Sequence, residues 1–186
     1  MPADSVQRFS QRADTYAKYR PTYPPAVIDL LAAEAGLTPQ SAVADIGSGT
    51  GILTRLLLAN GNTVYAVEPS AEMRAEAAAA LGHDTRWHSL DGRAEATGLP
   101  DASVDLVTAA QAFHWFEPAA ARAEFARILR PPRPVALIWN ERRDSATPFM
   151  RAFEEMLKLY GTDYKQVVHK YVADWPALER FFAPDN

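Results

Sequence analysis

Apolar and polar positions along the chain follow two rhythms. Short runs rich in β-branched residues alternate with longer stretches in which apolar side chains recur at i, i+3, i+4 and i+7. Val27, Leu30 and Leu31 follow Pro24–Pro25 and precede Gly36, which predicts a helix over about 25–35, started by proline and stopped by glycine. A strand-like run over 42–46 comes next, then a helical segment over 52–59 closed by Asn60–Gly61, a strand over 64–67, and an alanine-rich helix over 71–81 closed by Gly82. Further runs lie at 85–90, 104–109 and 135–139, with a helix at about 118–130 that turns Phe125, Ile128 and Leu129 inward. Five strands with intervening helices imply an α/β fold with a parallel sheet covered on both faces.

The flanks read differently. Residues 5–20 carry Phe9, Tyr16 and Tyr19 among polar residues and read as an amphipathic helix or lid. Thr147–Pro148 can start a helix whose Phe149, Phe153, Met156, Leu157 and Tyr160 form one stripe, expected to pack on the sheet or cover the site. The last stretch holds Val167, Val168, Tyr171, Trp175, Phe181 and Phe182 but no pair of alternating strands.

Composition narrows the function classes. At 186 residues and 48% hydrophobic content the chain suits one globular domain with a substantial core. No apolar run approaches the ~20 residues of a membrane span and the N-terminus lacks a signal-peptide core, so a cytoplasmic location with no membrane partner is expected. Without cysteine there is no disulfide or thiolate site, and the four histidines show no ligand spacing, so no metal is expected. Nineteen basic against twenty-three acidic residues give a net charge of −4, which leaves no footprint for a nucleic acid backbone.

The informative stretch is Ala42-Val43-Ala44-Asp45-Ile46-Gly47-Ser48-Gly49-Thr50-Gly51-Ile52-Leu53, a strand running through three alternate glycines into a helix. Such a turn lets backbone approach a ligand closely, and the helix start offers unpaired N–H groups and a positive dipole end. The same turn also serves as a plain tight connection. A dinucleotide fingerprint, G-x-G-x-x-G, would need its third glycine at position 52, which is Ile52, while Gly51 comes one residue early. A nicotinamide cofactor is therefore the second choice. Val64-Tyr65-Ala66-Val67-Glu68 places a carboxylate at the end of the next strand, where its two acceptor oxygens suit a ribose diol.

These residues resemble the class I S-adenosylmethionine-dependent methyltransferases, specifically the small-molecule type that includes trans-aconitate methyltransferases. The likeness covers roughly Phe9 to Asn140 and rests on four ordered motifs: D-I-G-S-G-T-G, V-E-P-S-A-E-M, A-E-A-T-G-L-P-D and A-A-Q-A-F-H-W-F. Y-A-K-Y-R-P-T-Y-P, Tyr16 to Pro24, is similar to the family's opening segment. The resemblance implies a Rossmann-like doubly wound sheet of five parallel strands in the order 3-2-1-4-5. It divides the chain into an N-terminal helical lid at 1–24, an S-adenosylmethionine-binding core at 25–141 and a C-terminal helical segment at 142–186.

By the same resemblance, Asp45, Gly47, Ser48, Gly49 and Gly51 form the loop under the methionine part of the cofactor, and Glu68 is the ribose-binding acid. Pro69 and Met73 lie beside the adenine, Ala94 and Glu95 close on its edge, and Gln111 belongs to the wall near the sulfonium. Relatives often carry an acid where this chain has Arg93; Asp91 is the available substitute. His114, Trp115, Tyr19 and Arg20 are substrate-side candidates. His114 and Trp115 either meet substrate or pack under the N-terminal segment, and Arg20 either grips a carboxylate or fixes that segment. No catalytic acid or base is assigned.

Two departures stand out. The antiparallel hairpin that ends the family's sheet is not found, so the C-terminal part reads as shortened and strand five as an edge open to self-association. Arg130-Pro131-Pro132-Arg133-Pro134 replaces the usual Pro-Gly-Gly turn, and proline cannot supply a positive φ. Three functions remain in view: methyl transfer from S-adenosylmethionine to a small-molecule oxygen, nitrogen or carbon, cofactor binding without turnover as an inactive or regulatory domain, and an NAD(P)-dependent oxidoreductase.

Overall fold

Pro24 and Pro25 start the first described helix, α1 (Ala26–Ala35), by accepting from the amides of Val27 and Ile28 at 3.0 and 2.9 Å. Gly36 ends it in the left-handed region at φ 68°, and the amide of Leu37 turns back to Leu31 O. The computed structural model describes residues 21–141, 145–161, 164 and 175–183. Tyr19, Arg20 and the first 20 residues of the expected lid lie outside the described residues, as do Val167, Val168 and Tyr171.

The elements continue as β1 (Ala42–Ile46), α2 (Ile52–Asn60), β2 (Thr63–Val67), α3 (Ala71–Leu81), β3 (Trp87–Leu90), β4 (Leu106–Ala110), a 3₁₀ turn (Phe113–Trp115), α4 (Pro118–Ile128), β5 (Val135–Ile138), α5 (Pro148–Tyr160) and α6 (Trp175–Phe182). The five strands form one all-parallel sheet in the order β3-β2-β1-β4-β5. That is the doubly wound arrangement the family resemblance implied. Right-handed crossovers from β1 through β2 to β3 run one way and those through β4 to β5 the other, which puts α2 and α3 on one face and α4 on the opposite one. The reversal between β1 and β4 opens a crevice at their carboxyl ends.

Packing follows the pattern of the strands. β1 is buried on both faces, as a central parallel strand should be, and Val43, Leu53, Leu57, Leu58, Val64 and Leu106 form a core with Leu31 and Leu81. Phe125, Ile128 and Leu129 are buried as expected, with Phe116 edge-on to Phe125. β3 starts two residues later than its apolar run because the Asp84 carboxylate captures the amide and guanidinium of Arg86, making a turn of 84–86. β4 likewise starts at Leu106; Val104 makes only an isolated bridge to Leu129.

The turn before β5 supplies its positive φ in an unexpected place. Arg130 O accepts the amide of Arg133 at 2.9 Å around a cis Pro131–Pro132 peptide, and Arg133 itself adopts φ 65°. A side chain in this region costs roughly 1–2 kcal/mol, of which the lower unfolded-state entropy of a non-glycine residue recovers part. Arg133→Gly is therefore expected to raise stability by about 0.5 kcal/mol, or roughly 1–2 °C in melting temperature. A lowered melting temperature by calorimetry would contradict this account.

Contacts divide the chain into two units, Met1–Ile138 and Trp139–Asn186. In the second, Thr147 caps α5 by accepting the amide of Met150, as its sequence predicts. The stripe turns inward only in part: Phe153 and Leu157 are half-buried. Phe149 and Tyr160 are 74% and 76% exposed and Met156 also lies on the surface, whereas Glu154 is 3% exposed. The buried carboxylate is held by the Tyr164 hydroxyl and faces the Lys158 ammonium at 3.9 Å, on the same face of the helix as Phe153 and Leu157. Among the described residues no helix is long and apolar enough to cross a membrane, and no cluster of metal-ligating side chains occurs.

Candidate cofactor site

The crevice at the carboxyl ends of β1 and β4 holds the glycine loop. Gly47, Gly49 and Gly51 all adopt positive φ, at 67°, 57° and 81°. At Gly47 a side chain is doubly excluded, because a Cβ would stand 2.6 Å from the Ala112 Cβ. The amides of Gly47 and Ser48 donate to Val67 O at 2.8 and 3.2 Å, which staples the loop to the end of β2.

Glu68 completes the staple. Its Oε2 accepts the Gly49 amide at 3.0 Å and its Oε1 the Ser70 amide at 2.9 Å, so one carboxylate ties the glycine loop to the start of α3. Burial raises its pKa above the usual carboxylate range, against the lowering effect of those two amides and of Arg74. Each oxygen keeps a further lone-pair site for a ligand hydroxyl.

Asp45 sits at the end of β1 and is 1% exposed. Its Oδ2 accepts the Thr54 hydroxyl at 2.6 Å and its Oδ1 the Thr108 hydroxyl at 3.1 Å. Burial pushes its pKa up to about 6, with Glu68 adding to the rise and the two hydroxyls opposing it. Neither threonine is singled out by the sequence. Thr108 is the polar residue inside an apolar strand and lies in register with Asp45, while Thr54 is on the buried side of α2 beside Leu53.

A cleft open to solvent lies over this loop. Asp45, Gly47, Ser48, Gly49 and Gln111 of the predicted residues line it, together with Tyr23, Thr50, Ile52, Leu53 and Ala110, which sequence reasoning missed. Thr50 Oγ1 is buried there without a hydrogen-bond partner among the described residues. Gln111 adopts φ 57° and donates its amide to Ile138 O at 2.8 Å, which links the ends of β4 and β5. A non-glycine residue in this region is the kind of backbone strain that clusters at binding sites.

The remaining candidates, Gly51 and Glu68 among them, lie outside that lining. Pro69 is half-buried and Met73 buried at the start of α3, whose Ser70 cap accepts the Met73 amide. Ala94 is buried, and the Glu95 carboxylate accepts the Glu117 amide at 2.8 Å, tying the loop after β3 to the start of α4. Arg93 is exposed and bridges through its backbone to Ala96, while Asp91 pairs with Arg74 at 3.0 Å. His114 and Trp115 occupy the 3₁₀ turn with ring centroids 4.7 Å apart, both half-buried.

The residue set fits a nucleoside that carries a cationic group. Glycine backbone allows close approach, the Glu68 carboxylate suits a diol, and among the described residues the cleft lining holds a carboxylate and no basic side chain. Among the described residues a pyrophosphate would find no basic residue in that lining.

Comparison with known proteins agrees with this chemistry. A family model described as a methyltransferase domain matches residues 44–132, from β1 through the turn before β5. An uncharacterized methyltransferase of Mycobacterium tuberculosis is 41% identical over 154 residues, 83% of this chain and 60% of the relative. This chain belongs to the class I S-adenosylmethionine-dependent methyltransferase family. Among methyltransferases of this family, an uncharacterized one of Schizosaccharomyces pombe is 34% identical over 147 residues, covering 77% of this chain and 56% of the relative. A structure from Methanococcus maripaludis, provisionally named an S-adenosyl-L-methionine-dependent methyltransferase, shares the methyltransferase fold. It superposes with a TM-score of 0.67 at 22% identity, over 96% of this chain and 80% of that one. The chain spans about 60% of the length of the mycobacterial relative it matches. Membership in this family sets the nicotinamide reading aside.

Proposed function

We propose that this methyltransferase-family chain binds S-adenosylmethionine in the cleft over the glycine loop and catalyses methyl transfer to a nucleophilic oxygen, nitrogen or carbon of a small molecule. One observation carries the reading: Glu68 joins the glycine loop to the start of α3 beside a cleft whose lining, among the described residues, holds the Asp45 carboxylate and no basic side chain. The bound sulfonium supplies an electrophilic methyl group.

The protein's part is mainly placement. The close-approaching glycine backbone and the Glu68 carboxylate hold the nucleoside, Asp45 contributes negative charge at the loop, and Gln111 forms the facing wall. Orientation of nucleophile and methyl can lower the barrier by on the order of 7–11 kcal/mol. Such transfer needs no residue with a perturbed acid–base role when the acceptor is already a carboxylate or another anion.

Titration calorimetry of the 186-residue chain with S-adenosylmethionine, S-adenosylhomocysteine and a nicotinamide dinucleotide tests the reading. Both adenosyl ligands are expected to bind the parent. Glu68→Ala is expected to weaken them by at least about tenfold, because it removes a charge-assisted acceptor and unties the loop. Preference for the dinucleotide, or unchanged affinity in Glu68→Ala, would overturn it.

A further inference from the structure

The start of α4 is capped from outside the helix. Glu117 is its N-cap, and the Glu117 carboxylate accepts the amides of Ala119 and Ala120 at 3.2 and 2.7 Å. In a capping box the third helical residue reciprocates by accepting the N-cap amide, and here that residue is Ala120, whose side chain has no acceptor. Glu95 takes its place. The Glu95 Oε1 accepts the Glu117 amide at 2.8 Å from 22 residues earlier in the chain, on the loop after β3. A bond that a glutamate or glutamine at position 120 would make locally is therefore made across the fold.

That loop starts beside the diol-binding acid. The Glu68 amide donates to Leu90 O at 3.1 Å, and the Arg74 guanidinium joins Glu68 O, at 2.7 Å, to the Asp91 carboxylate, at 3.0 Å. The next residues have little slack. A Cβ on Gly92 would stand 2.9 Å from both Val67 Cγ1 and Thr97 O, and Arg93 and Ala96 exchange backbone hydrogen bonds at 3.1 Å in each direction. Thr97 then fixes the base of the loop to Glu124 in the middle of α4. The closed turn 93–96 moves as a unit, with Glu95 near its tip. On the other side of the Glu95 bond is the wall of the cleft. Gln111 lines the cleft, Ala112 and Phe116 pack where a Gly47 Cβ would lie, and the 3₁₀ turn between them carries His114 and Trp115. The start of this wall is tied to β5 through the Gln111 amide on Ile138 O, and the Glu95 bond fixes its end at Glu117.

We propose that Glu95 is a positioning residue for this wall: by capping α4 from the loop beside Glu68, it makes the 3₁₀ turn of His114 and Trp115 respond to a nucleoside in the cleft. The inference rests on the reading that the cleft binds S-adenosylmethionine. A ligand shifts such a turn only through interactions that differ between its two arrangements, and a diol held by Glu68 reaches Leu90, Asp91 and the turn 93–96 through the bonds above. The cofactor thereby sets the wall before an acceptor meets it. Without the Glu95 carboxylate α4 remains a helix, but its first residue and the turn 113–115 no longer follow the loop.

The probe is S-adenosylhomocysteine, which fills the cleft without a methyl group to transfer. Trp115 reports on the turn, because its ring centroid lies 4.7 Å from that of His114 and its emission depends on that packing. The Trp115 signal is the emission change at saturating probe in the full chain minus the change when Trp115→Phe is added, with saturation set by calorimetry for each variant. The parent is expected to show this signal, Glu95→Ala to lose at least about half of it, and Glu95→Gln, whose amide oxygen still accepts the Glu117 amide, to keep it. Loss of the cap in Glu95→Ala is also expected to lower the melting temperature by roughly 2–4 °C. Adding Ala120→Gln to Glu95→Ala supplies the acceptor within the helix, and is expected to restore the melting temperature while the signal stays lost. This double variant carries the test if Glu95→Ala does not fold. A purely structural cap would bring back the signal together with the melting temperature, and that result overturns the proposal. So does a parent that binds the probe without a Trp115 signal, or a signal unchanged in Glu95→Ala; both leave cofactor binding intact. Failure of the parent to bind the probe would overturn the cofactor reading and this proposal together.

Discussion

Gly47→Ala is expected to destabilise the fold by about 2–4 kcal/mol and to weaken S-adenosylmethionine binding by more than about tenfold. Two effects add. The residue sits at φ 67°, where a side chain costs roughly 1–2 kcal/mol, and the new methyl would stand 2.6 Å from the Ala112 Cβ, an atom carried directly on the backbone. Relief requires the segment after β4 to retreat, and Gln111 on the cleft wall is the residue next to Ala112. Folding and binding should therefore fail together. Gly49→Ala is the control: its φ is 57°, but its Cβ would have no heavy atom of the described residues within 4 Å, so only the backbone cost of about 1 kcal/mol applies. Thermal melts should separate the two variants by roughly 3–10 °C. Equal melting temperatures would show that the close approach to Ala112 does not constrain the loop.

Glu124→Ala should cost about 1–3 kcal/mol of stability away from the cleft. Its Oε1 accepts both the amide and the hydroxyl of buried Thr97, at 2.8 and 2.6 Å, and Arg127 approaches both carboxylate oxygens at 2.8 Å. Truncation strands the two Thr97 donors inside the protein and leaves Arg127 with Asp101 and Leu99 O. The network fastens the loop after β3, which carries Ala94 and Glu95, onto α4. Looser packing of that loop should appear as faster amide exchange around 94–97.

The same carboxylate gives a pH signature. Arg127 and the Thr97 donors hold the Glu124 pKa down to about 2. Because the folded value is depressed, the stabilisation is present above the ordinary glutamate range near 4.5 and is lost as pH falls toward 2. The stability difference between the parent and Glu124→Gln, measured by urea unfolding, should shrink steadily below about pH 4 as the parent's carboxylate protonates. A difference that holds constant down to about pH 3 would contradict the network.

Much of the site was legible before any coordinates because its chemistry is local. Three alternate glycines between a strand and a helix can adopt backbone conformations that other residues resist, and Glu68 follows directly from the end of β2. The strand and helix rhythms were equally legible, since a parallel sheet needs apolar runs and its crossovers need amphipathic helices. Sequence therefore determined the α/β class, the position of the glycine turn and the ribose-binding candidate. Local periodicity read α5 only in part, since Phe153 and Leu157 turn inward with the buried Glu154 while Phe149, Met156 and Tyr160 stay exposed, and it placed the turn before β5 without showing that Arg133 would carry the positive φ.

Only the tertiary structure decided what surrounds Asp45. Thr108 is 63 residues away in the chain, and its hydroxyl reaches the carboxylate because β4 lies beside β1 with those two residues in register. The Glu124 network spans 27 residues for the same reason, and Tyr23 reaches the cleft from ahead of α1. Hydrogen bonds to a buried charge act over about 3 Å and depend on register, burial and the direction of each donor. Periodicity along one strand specifies which face is apolar, whereas the partner across the sheet is set by the pairing of whole strands. The sequence determined where a ligand's backbone cradle lies, and the packing of β1, β4 and α2 determined the charge that the cradle presents.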